Sequence, residues 1–248
     1  MRSGAATLLV FTLGPQTEVR RRGLLPATFA GVEHQLYQHC LDAALEAGTE
    51  AGCRVVLTAP APLELGPTVA TLVQPEGSFG ERLAAAVGQL DDGPLVVVGT
   101  DVPGLTGDHV RRALELLAED PAQAVVGPSP DGGFYLLAVA RPVAHLLGAV
   151  RWCGRHTRED LEHALAAAGF RVRRLASLAD LDHRRDLERF AAGAHQLASE
   201  GWRALLASVR RALAVLAAPL ARPAAEVSLA PALAGPAGRA PPRRLLPR

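Results

Sequence analysis

The chain has 248 residues, 49% of them hydrophobic, and a formal net charge of +1, enough for one α/β domain with a full core. This charge gives no general attraction to nucleic acid or a membrane surface, and no segment is apolar enough over sufficient length to predict a membrane span. The three cysteines form no metal or redox motif, which favours a reducing, cytoplasmic location.

Strand and helix patterns alternate along the chain. In chain order we predict a strand at residues 7–12, a helix at 29–47, strands at 54–58 and 69–73, a helix at 78–90, a strand at 94–99, a helix at 107–118, strands at 124–127 and 134–138, a helix ending at 168, a strand at 171–175 and a helix from about 183. This alternation is typical of a mostly parallel sheet sandwiched by helices. The turn at residues 131–133 adds an antiparallel hairpin, so the predicted sheet is mixed.

Potential capping side chains mark several predicted helix starts. The pair Ser78 and Glu81, and the pair Thr157 and Asp160, match the capping-box pattern. Thr106 is a suitable N-cap for the helix that follows it.

The C-terminal part of the chain differs in composition from the rest. We predict one domain at residues 1–197, an amphipathic helix at 198–218 and a disordered tail, rich in Pro, Ala and Arg, at 219–248. The apolar face of that helix carries Trp202, Leu205, Leu206, Val209, Leu213 and Leu216. This face is predicted to pack on the domain's own core, or alternatively to dock a partner.

The first candidate site follows the apolar run at residues 95–98. Thr100 and Asp101 would lie beyond the carboxyl end of a strand buried on both faces, where ligands bind in open α/β sheets. A carboxylate at this position can hold a divalent cation, and the cation can hold a phosphate. The alternative is that Asp101 only caps a turn.

Two further segments carry candidate residues. Asp131, Gly132 and Gly133 allow backbone to approach a ligand closely, or simply form a hairpin turn. Residues 77–82 open a helix whose amide groups, near Gly80, could bind phosphate with help from Arg82; otherwise they form a capped surface helix.

Other charged and aromatic residues complete the candidate set. Asp180 and Asp182, with His183, could complete a metal site, unless Asp182 is an N-cap and Asp180 is solvated. The run at residues 20–22, with Arg21 and Arg22, is predicted to form a basic loop after strand one, where such folds place phosphates, or a solvated charge run. Trp152 could wall a pocket or serve simple packing.

Five segments occur in an order that resembles a known family. They are residues 77–83, 99–105, 127–136, Trp152, and 180–182 with Asp186. The pattern, over about residues 7–190, resembles the bacterial glycosyltransferase-like proteins called radical-SAM/selenodomain-associated transferase 1, which have the GT-A, or nucleotide-diphospho-sugar transferase, fold. More distantly it is similar to molybdenum-cofactor and phospholactate guanylyltransferases.

The resemblance implies a nucleotide site at the carboxyl edge of the sheet. Asp101 would be the metal-binding and catalytic aspartate, with Asp182 as a second ligand for Mg²⁺ or Mn²⁺. Gly132 and Gly133, with Asp131 and Trp152 beside them, would line the acceptor side. We expect Thr100 and Gly80 to contact the nucleotide phosphates. The chain contains no lysine, so the cationic contacts to the phosphates are expected from Arg21, Arg22 and Arg82.

One segment departs from the family pattern. After strand one such proteins have a lysine, a turn glycine and a basic run, whereas here Leu13 stands at the lysine position and the turn glycine is missing. The arginines at 20–22 would replace the basic run.

The leading hypothesis from the resemblance is a metal-dependent, glycosyltransferase-like enzyme using a nucleotide-activated sugar donor. The alternatives are a nucleotidyltransferase acting on a nucleoside triphosphate, and a degenerate non-catalytic member that binds a nucleotide or a partner.

Overall fold

A computed structural model describes residues 5–63, 69–193 and 199–218. The chain divides into one compact unit, Met1–Leu216, and a second unit, Ala217–Arg248. The predicted tail at 219–248 lies outside the described residues. No helix among those described has the length and hydropathy needed to cross a membrane.

A seven-stranded mixed sheet forms the centre of the first unit. Its strands are β1 (Thr7–Phe11), β2 (Arg54–Ala59), β3 (Ala70–Val73), β4 (Leu95–Val98), β5 (Gln123–Pro128), β6 (Phe134–Val139) and β7 (Arg171–Arg174). The strand order is β3-β2-β1-β4-β6-β5-β7. Only β6 runs antiparallel to its two neighbours, so the predicted fold class is confirmed.

Seven α-helices surround this sheet in the described part of the chain. They are α1 (Pro15–Arg22), α2 (Ala30–Glu50), α3 (Phe79–Val87), α4 (Gly107–Glu119), α5 (Thr157–Ala167), α6 (Arg184–Gly193) and α7 (Glu200–Ala217). Two short 3₁₀ helices, Ala27–Phe29 and Ala144–Ala149, lie in the connections.

The core lies on both faces of the sheet because its central strands are largely apolar. In β1, Leu8 and Val10 pack into a cluster with α2 and α4, while Leu9 and Phe11 pack on the opposite face with α3 and α5. Successive side chains of a strand point to opposite faces, which explains this division. Strand β4, at residues 95–98, is divided between the same two clusters and is buried throughout, so the prediction that this strand is buried on both faces is confirmed.

The apolar face of α7 is covered by the chain itself. Trp202, Leu205 and Val209 are at most 9% exposed, and they pack with Leu36 and Tyr37 of α2. The predicted packing on the domain's own core is confirmed, and the face is not free to dock a partner.

Two local predictions were wrong and a third holds only in part. Residues 20–22 belong to helix α1 rather than to a loop, and Pro15 occupies the first turn of that helix. Thr106 occupies the N-cap position of α4, as predicted, but its hydroxyl is bonded to the His109 side chain rather than to the backbone. No capping box opens α5, because the Thr157 hydroxyl donates to backbone carbonyls and Asp160 pairs with the Arg151 side chain.

Candidate functional site

A cleft of about 1060 Å³ opens at the carboxyl edge of the sheet. Its walls come from the segments that follow β1 and β4, from the turn between β5 and β6, and from the connection leading into α6. Six arginines and six carboxylates line it: Arg21, Arg22, Arg82, Arg155, Arg185 and Arg189, with Glu18, Asp101, Asp131, Asp180, Asp182 and Asp186. The arginine and carboxylate charges therefore nearly cancel, which leaves a polyphosphate without a net attraction unless a cation accompanies it.

Two threonines join the loops that follow the central strands β1 and β4. The hydroxyl oxygens of Thr12 and Thr100 lie 2.8 Å apart, and the Gly14 amide donates to Thr12 Oγ1 at 2.9 Å. Thr100 is only 5% exposed. The Thr100 hydroxyl therefore holds together the two loops at the base of the cleft. Its predicted contact with a nucleotide stays a prediction.

Arg22 is the most heavily bonded side chain of the cleft. Its guanidinium donates to Glu18 Oε2 at 3.0 Å, to Asp101 Oδ2 at 2.7 Å and to the Leu181 carbonyl at 2.9 Å, and it also pairs with Asp182. The side chain is 9% exposed. Burial alone would lower the pKa of Arg22, but Asp101 and Glu18 raise it above its ordinary value, so the charge is permanent.

Asp101 lies beyond the end of β4, as predicted, and it is tied to the loop before α6. Its carbonyl accepts the Leu181 amide at 3.0 Å, while its carboxylate accepts from Arg22. Asp182 also faces Arg22, and α6 begins at Arg184, so Asp182 lies two residues before the helix and not at the N-cap position that the alternative interpretation gave it.

Asp182 also belongs to a group of three carboxylates beside Arg22. Oxygen atoms of Asp131, Asp180 and Asp182 all lie within 4.8 Å of one another. Asp131 comes from the β5–β6 turn, whereas the other two precede α6. Burial, with the nearby charges of Asp131 and Asp101, raises the pKa of Asp180 to about 6.

The chemistry of this carboxylate group fits a divalent cation. Carboxylate oxygens are the ligands that Mg²⁺ and Mn²⁺ prefer. A cation would offset both the burial and the repulsion between carboxylates that raise the pKa of Asp180. Asp182, a predicted ligand, belongs to the group. Asp101 lies outside it, and its predicted ligation stays a prediction.

Arg82 is held at the opposite side of the cleft by Gln74. Arg82 Nη1 donates to Gln74 Oε1 at 2.8 Å, and Gln74 Nε2 donates to the carbonyls of Thr12 and Thr58, both at 2.9 Å. The guanidinium also lies 5.7 Å from the centre of the Phe11 ring. A buried amide thus orients a cationic side chain at the cleft wall.

Aromatic side chains form a continuous part of the wall. The Phe79 ring centre lies 4.9 Å from that of Phe11 and 5.0 Å from that of Trp152, which is 6.1 Å from Phe134. Trp152 Nε1 donates to the Leu147 carbonyl at 3.0 Å, which fixes the indole. Trp152 thus lines the cleft, as predicted, and also packs on its neighbours.

Two of the predicted glycines are explained by packing. A Cβ on Gly80 would collide with the Trp152 indole, and one on Gly132, whose φ is 97°, would collide with the Arg155 carbonyl. Neither glycine lines the cleft that the described residues form, whereas Gly133 does. Their predicted ligand contacts remain predictions.

Sequence reasoning missed the residues that hold these groups in place. Glu18 and Gln74 are buried and orient Arg22 and Arg82. Glu33 is fully buried and accepts the amides of Leu24 and Leu25, which anchors the chain after α1. Only Glu18 carried a sequence signal, its spacing of four residues from Arg22 on one helix face.

Comparisons with known proteins agree with this architecture. Residues 33–154 match the family model DUF2064. The model is described as an uncharacterized protein conserved in bacteria, and its match covers slightly under half of the chain. No curated protein gives a significant match.

Solved structures match over most of the compact unit. A protein described as a nucleotide-diphospho-sugar transferase from Desulfovibrio desulfuricans G20 has a TM-score of 0.67 and 21% identity, over 84% of this chain and 97% of that chain. Rv0371c from Mycobacterium tuberculosis H37Rv has a TM-score of 0.50 and 20% identity, over 76% and 98%. The bifunctional IspDF from Campylobacter jejuni has a TM-score of 0.51 and 12% identity, over 75% and 54%. The DUF2064 segment therefore lies within a nucleotide-diphospho-sugar transferase-like fold.

Proposed function

We propose that the cleft binds a nucleotide-activated sugar with Mg²⁺ or Mn²⁺ and transfers the sugar to a small acceptor. The observation that carries this proposal is the meeting of Asp131, Asp180 and Asp182 in a cleft that also holds anchored arginines. Ligands of open α/β sheets bind at this edge, and the fold similarity agrees with that position. The more specific subtype, like the radical-SAM/selenodomain-associated transferases, is part of the proposal.

The three carboxylates would hold the cation. When bound, the cation neutralises negative charge that develops on the leaving diphosphate. Asp101 contributes by holding Arg22 against the cleft, since its carboxylate accepts a hydrogen bond of 2.7 Å from that guanidinium.

The arginines would bind the phosphates. Arg82 is pre-oriented by Gln74, and it can donate to a phosphate oxygen from a fixed position. Arg21 pairs only with Glu18 in the described part of the chain and its side chain is 49% exposed, so it can turn toward a ligand at little cost.

The acceptor would lie on the side of the β5–β6 turn. Gly133 and Trp152 line the cleft there, and the fixed indole offers a flat apolar surface to a ring-shaped acceptor. Asp131 belongs both to this turn and to the carboxylate group, so it lies where donor and acceptor would meet.

A binding titration tests this proposal. Calorimetry with a panel of nucleoside diphosphates, with and without Mn²⁺, is expected to show binding that depends on the ion. We expect Asp180→Asn to abolish the Mn²⁺ dependence, and Arg82→Gln to weaken nucleotide binding by roughly tenfold, because it removes a charge-assisted hydrogen bond.

The exposed Asp92→Asn variant is the control and should bind as the parent protein does. Absence of nucleotide binding under every metal condition, or binding that Asp180→Asn leaves unchanged, would refute the proposed site. Binding without turnover of any nucleotide sugar would instead support the non-catalytic alternative.

A nucleotidyltransferase is the second candidate. The observation that favours it is that two lining arginines, Arg82 and Arg155, are hydrogen-bonded to Gln74 and His156 rather than to a carboxylate of the described residues, which leaves their charges for a nucleoside triphosphate. Release of pyrophosphate from a nucleoside triphosphate, in the presence of sugar phosphates, would support this reaction over sugar transfer.

A further inference from the structure

The guanidinium of Arg22 occupies the space between the two aspartates that the sequence pattern predicts as metal ligands. One Nη atom donates to Asp101 Oδ2 at 2.7 Å, and the other pairs with Asp182. The same guanidinium satisfies Glu18 and the Leu181 carbonyl. A positive group is therefore already bound where the pattern predicts a divalent ion.

This arrangement is built into the fold. Arg22 stands in the last turn of α1, and its side chain is 9% exposed. Glu33 fixes the following residues by accepting the amides of Leu24 and Leu25. Glu18 lies one turn earlier on the same helix. Its Oε2 accepts a hydrogen bond of 3.0 Å from Arg22 Nε and so orients the guanidinium.

We infer that Arg22 is an intrinsic counter-cation that fills the Asp101–Asp182 position, so that the protein binds one divalent cation at Asp131, Asp180 and Asp182 and excludes a second. The inference rests on the proposed function only for the first cation. A second divalent ion beside Arg22 would meet both an occupied carboxylate and a like charge at close range. Removal of the guanidinium relieves both obstacles, because it frees the Asp101 carboxylate and the Asp182 oxygen that faced Arg22.

Counting bound manganese tests the inference without any assay of activity. Equilibrium titration of the full chain with MnCl₂ at pH 7.5, followed by electron paramagnetic resonance of the free ion, should give one Mn²⁺ for the parent protein. The Arg22→Gln variant should bind two, and Arg22→Gln combined with Asp101→Asn should bind one again. Arg20→Gln, an exposed charge change on the same helix, is the matched control and should bind one.

A second variant keeps the test decisive if Arg22→Gln does not fold. Asp101→Asn alone should leave the manganese affinity within about threefold of the parent value, because Asp101 is not a ligand of the resident ion. Loss of manganese binding in that variant would overturn the inference.

The outcomes separate this inference from the proposed function. One Mn²⁺ in both the parent protein and a folded Arg22→Gln variant would overturn the role of Arg22 and leave the proposed cation site intact. No Mn²⁺ in the parent protein but one in Arg22→Gln would support the role of Arg22 and refute the site at Asp131, Asp180 and Asp182.

Discussion

At the scale of single residues, the cleft depends on side chains that are held by other side chains. Arg22 is fixed by Glu18, and Arg82 by Gln74, whose amide donates to the carbonyl that follows β1 and to one within β2. Preorganised donors bind an anion without first losing rotamer freedom, so these buried partners matter as much as the arginines.

The close approach of Gly80 to Trp152 gives a stability prediction. Gly80→Ala should lower the free energy of unfolding by about 1–3 kcal/mol, since its Cβ would overlap the indole. Gly31→Ala changes the same second position of another helix, where a Cβ meets nothing within 4 Å, and should be neutral or stabilising by up to about 1 kcal/mol. Urea unfolding followed by circular dichroism compares the two, and equal effects would contradict the packing role of Gly80.

The sequence predicted some individual residues well and others poorly. The capping box of Ser78 and Glu81 is present because both partners lie within one turn of the chain. The same pattern at Thr157 and Asp160 failed because Arg151, brought close by the fold, takes the Asp160 carboxylate. Local spacing cannot reveal such a competing partner.

At the scale of elements, the helices α1 and α7 are the ones whose roles depend on distant contacts. Helix α1 has no apolar periodicity, and its buried residues are Pro15 and Glu18, so a search for amphipathic helices passes over it. Helix α7 has a clear apolar stripe, but the sequence does not say what the stripe covers. The structure shows that α7 packs with α2.

The packing of α7 can be measured directly. Leu205→Ala should lower the free energy of unfolding by about 2–5 kcal/mol, because the side chain is 3% exposed and lies in the core. Val215→Ala, on the same helix but 62% exposed, should change it by less than about 0.5 kcal/mol. Chemical denaturation of both variants tests this, and a small effect of Leu205→Ala would show that α7 is not part of the folded core.

The start of α5 gives a prediction of pH dependence. Hydrogen bonding to the Arg151 side chain lowers the pKa of Asp160 from 3.8 to about 2. Because the folded pKa is depressed, this contribution to stability is present above about pH 4 and is lost as the pH falls through 2. The melting temperature of Asp160→Asn should therefore lie below that of the parent protein at pH 7, and the difference should narrow between pH 4 and 2.

The exposed Asp92→Asn variant provides the reference for this comparison. It should melt with the parent protein across the same range. A difference between Asp160→Asn and the parent protein that stays constant down to pH 2 would argue against the ion pair.

At the scale of the whole molecule, the sheet was predictable and its site only partly so. All seven strands were predicted, and the inner ones gave the strongest signal, because a strand buried on both faces is an apolar run. The edge strands β3 and β7 are mostly exposed and were predicted from shorter patterns. The position of β6 between β4 and β5 could not be predicted, since strand order depends on contacts distant in sequence. The pairing of Arg22 with both Asp101 and Asp182 could not be predicted for the same reason.

We propose that the cleft holds a divalent cation at Asp131, Asp180 and Asp182. Anomalous diffraction from a crystal of the full chain grown with MnCl₂ and a nucleoside diphosphate would locate the ion. We expect one manganese peak bonded to oxygens of these three carboxylates, with Arg22 still paired to Asp101. A cleft without manganese, or a peak ligated by Asp101 and Asp182 with Arg22 displaced, would contradict it.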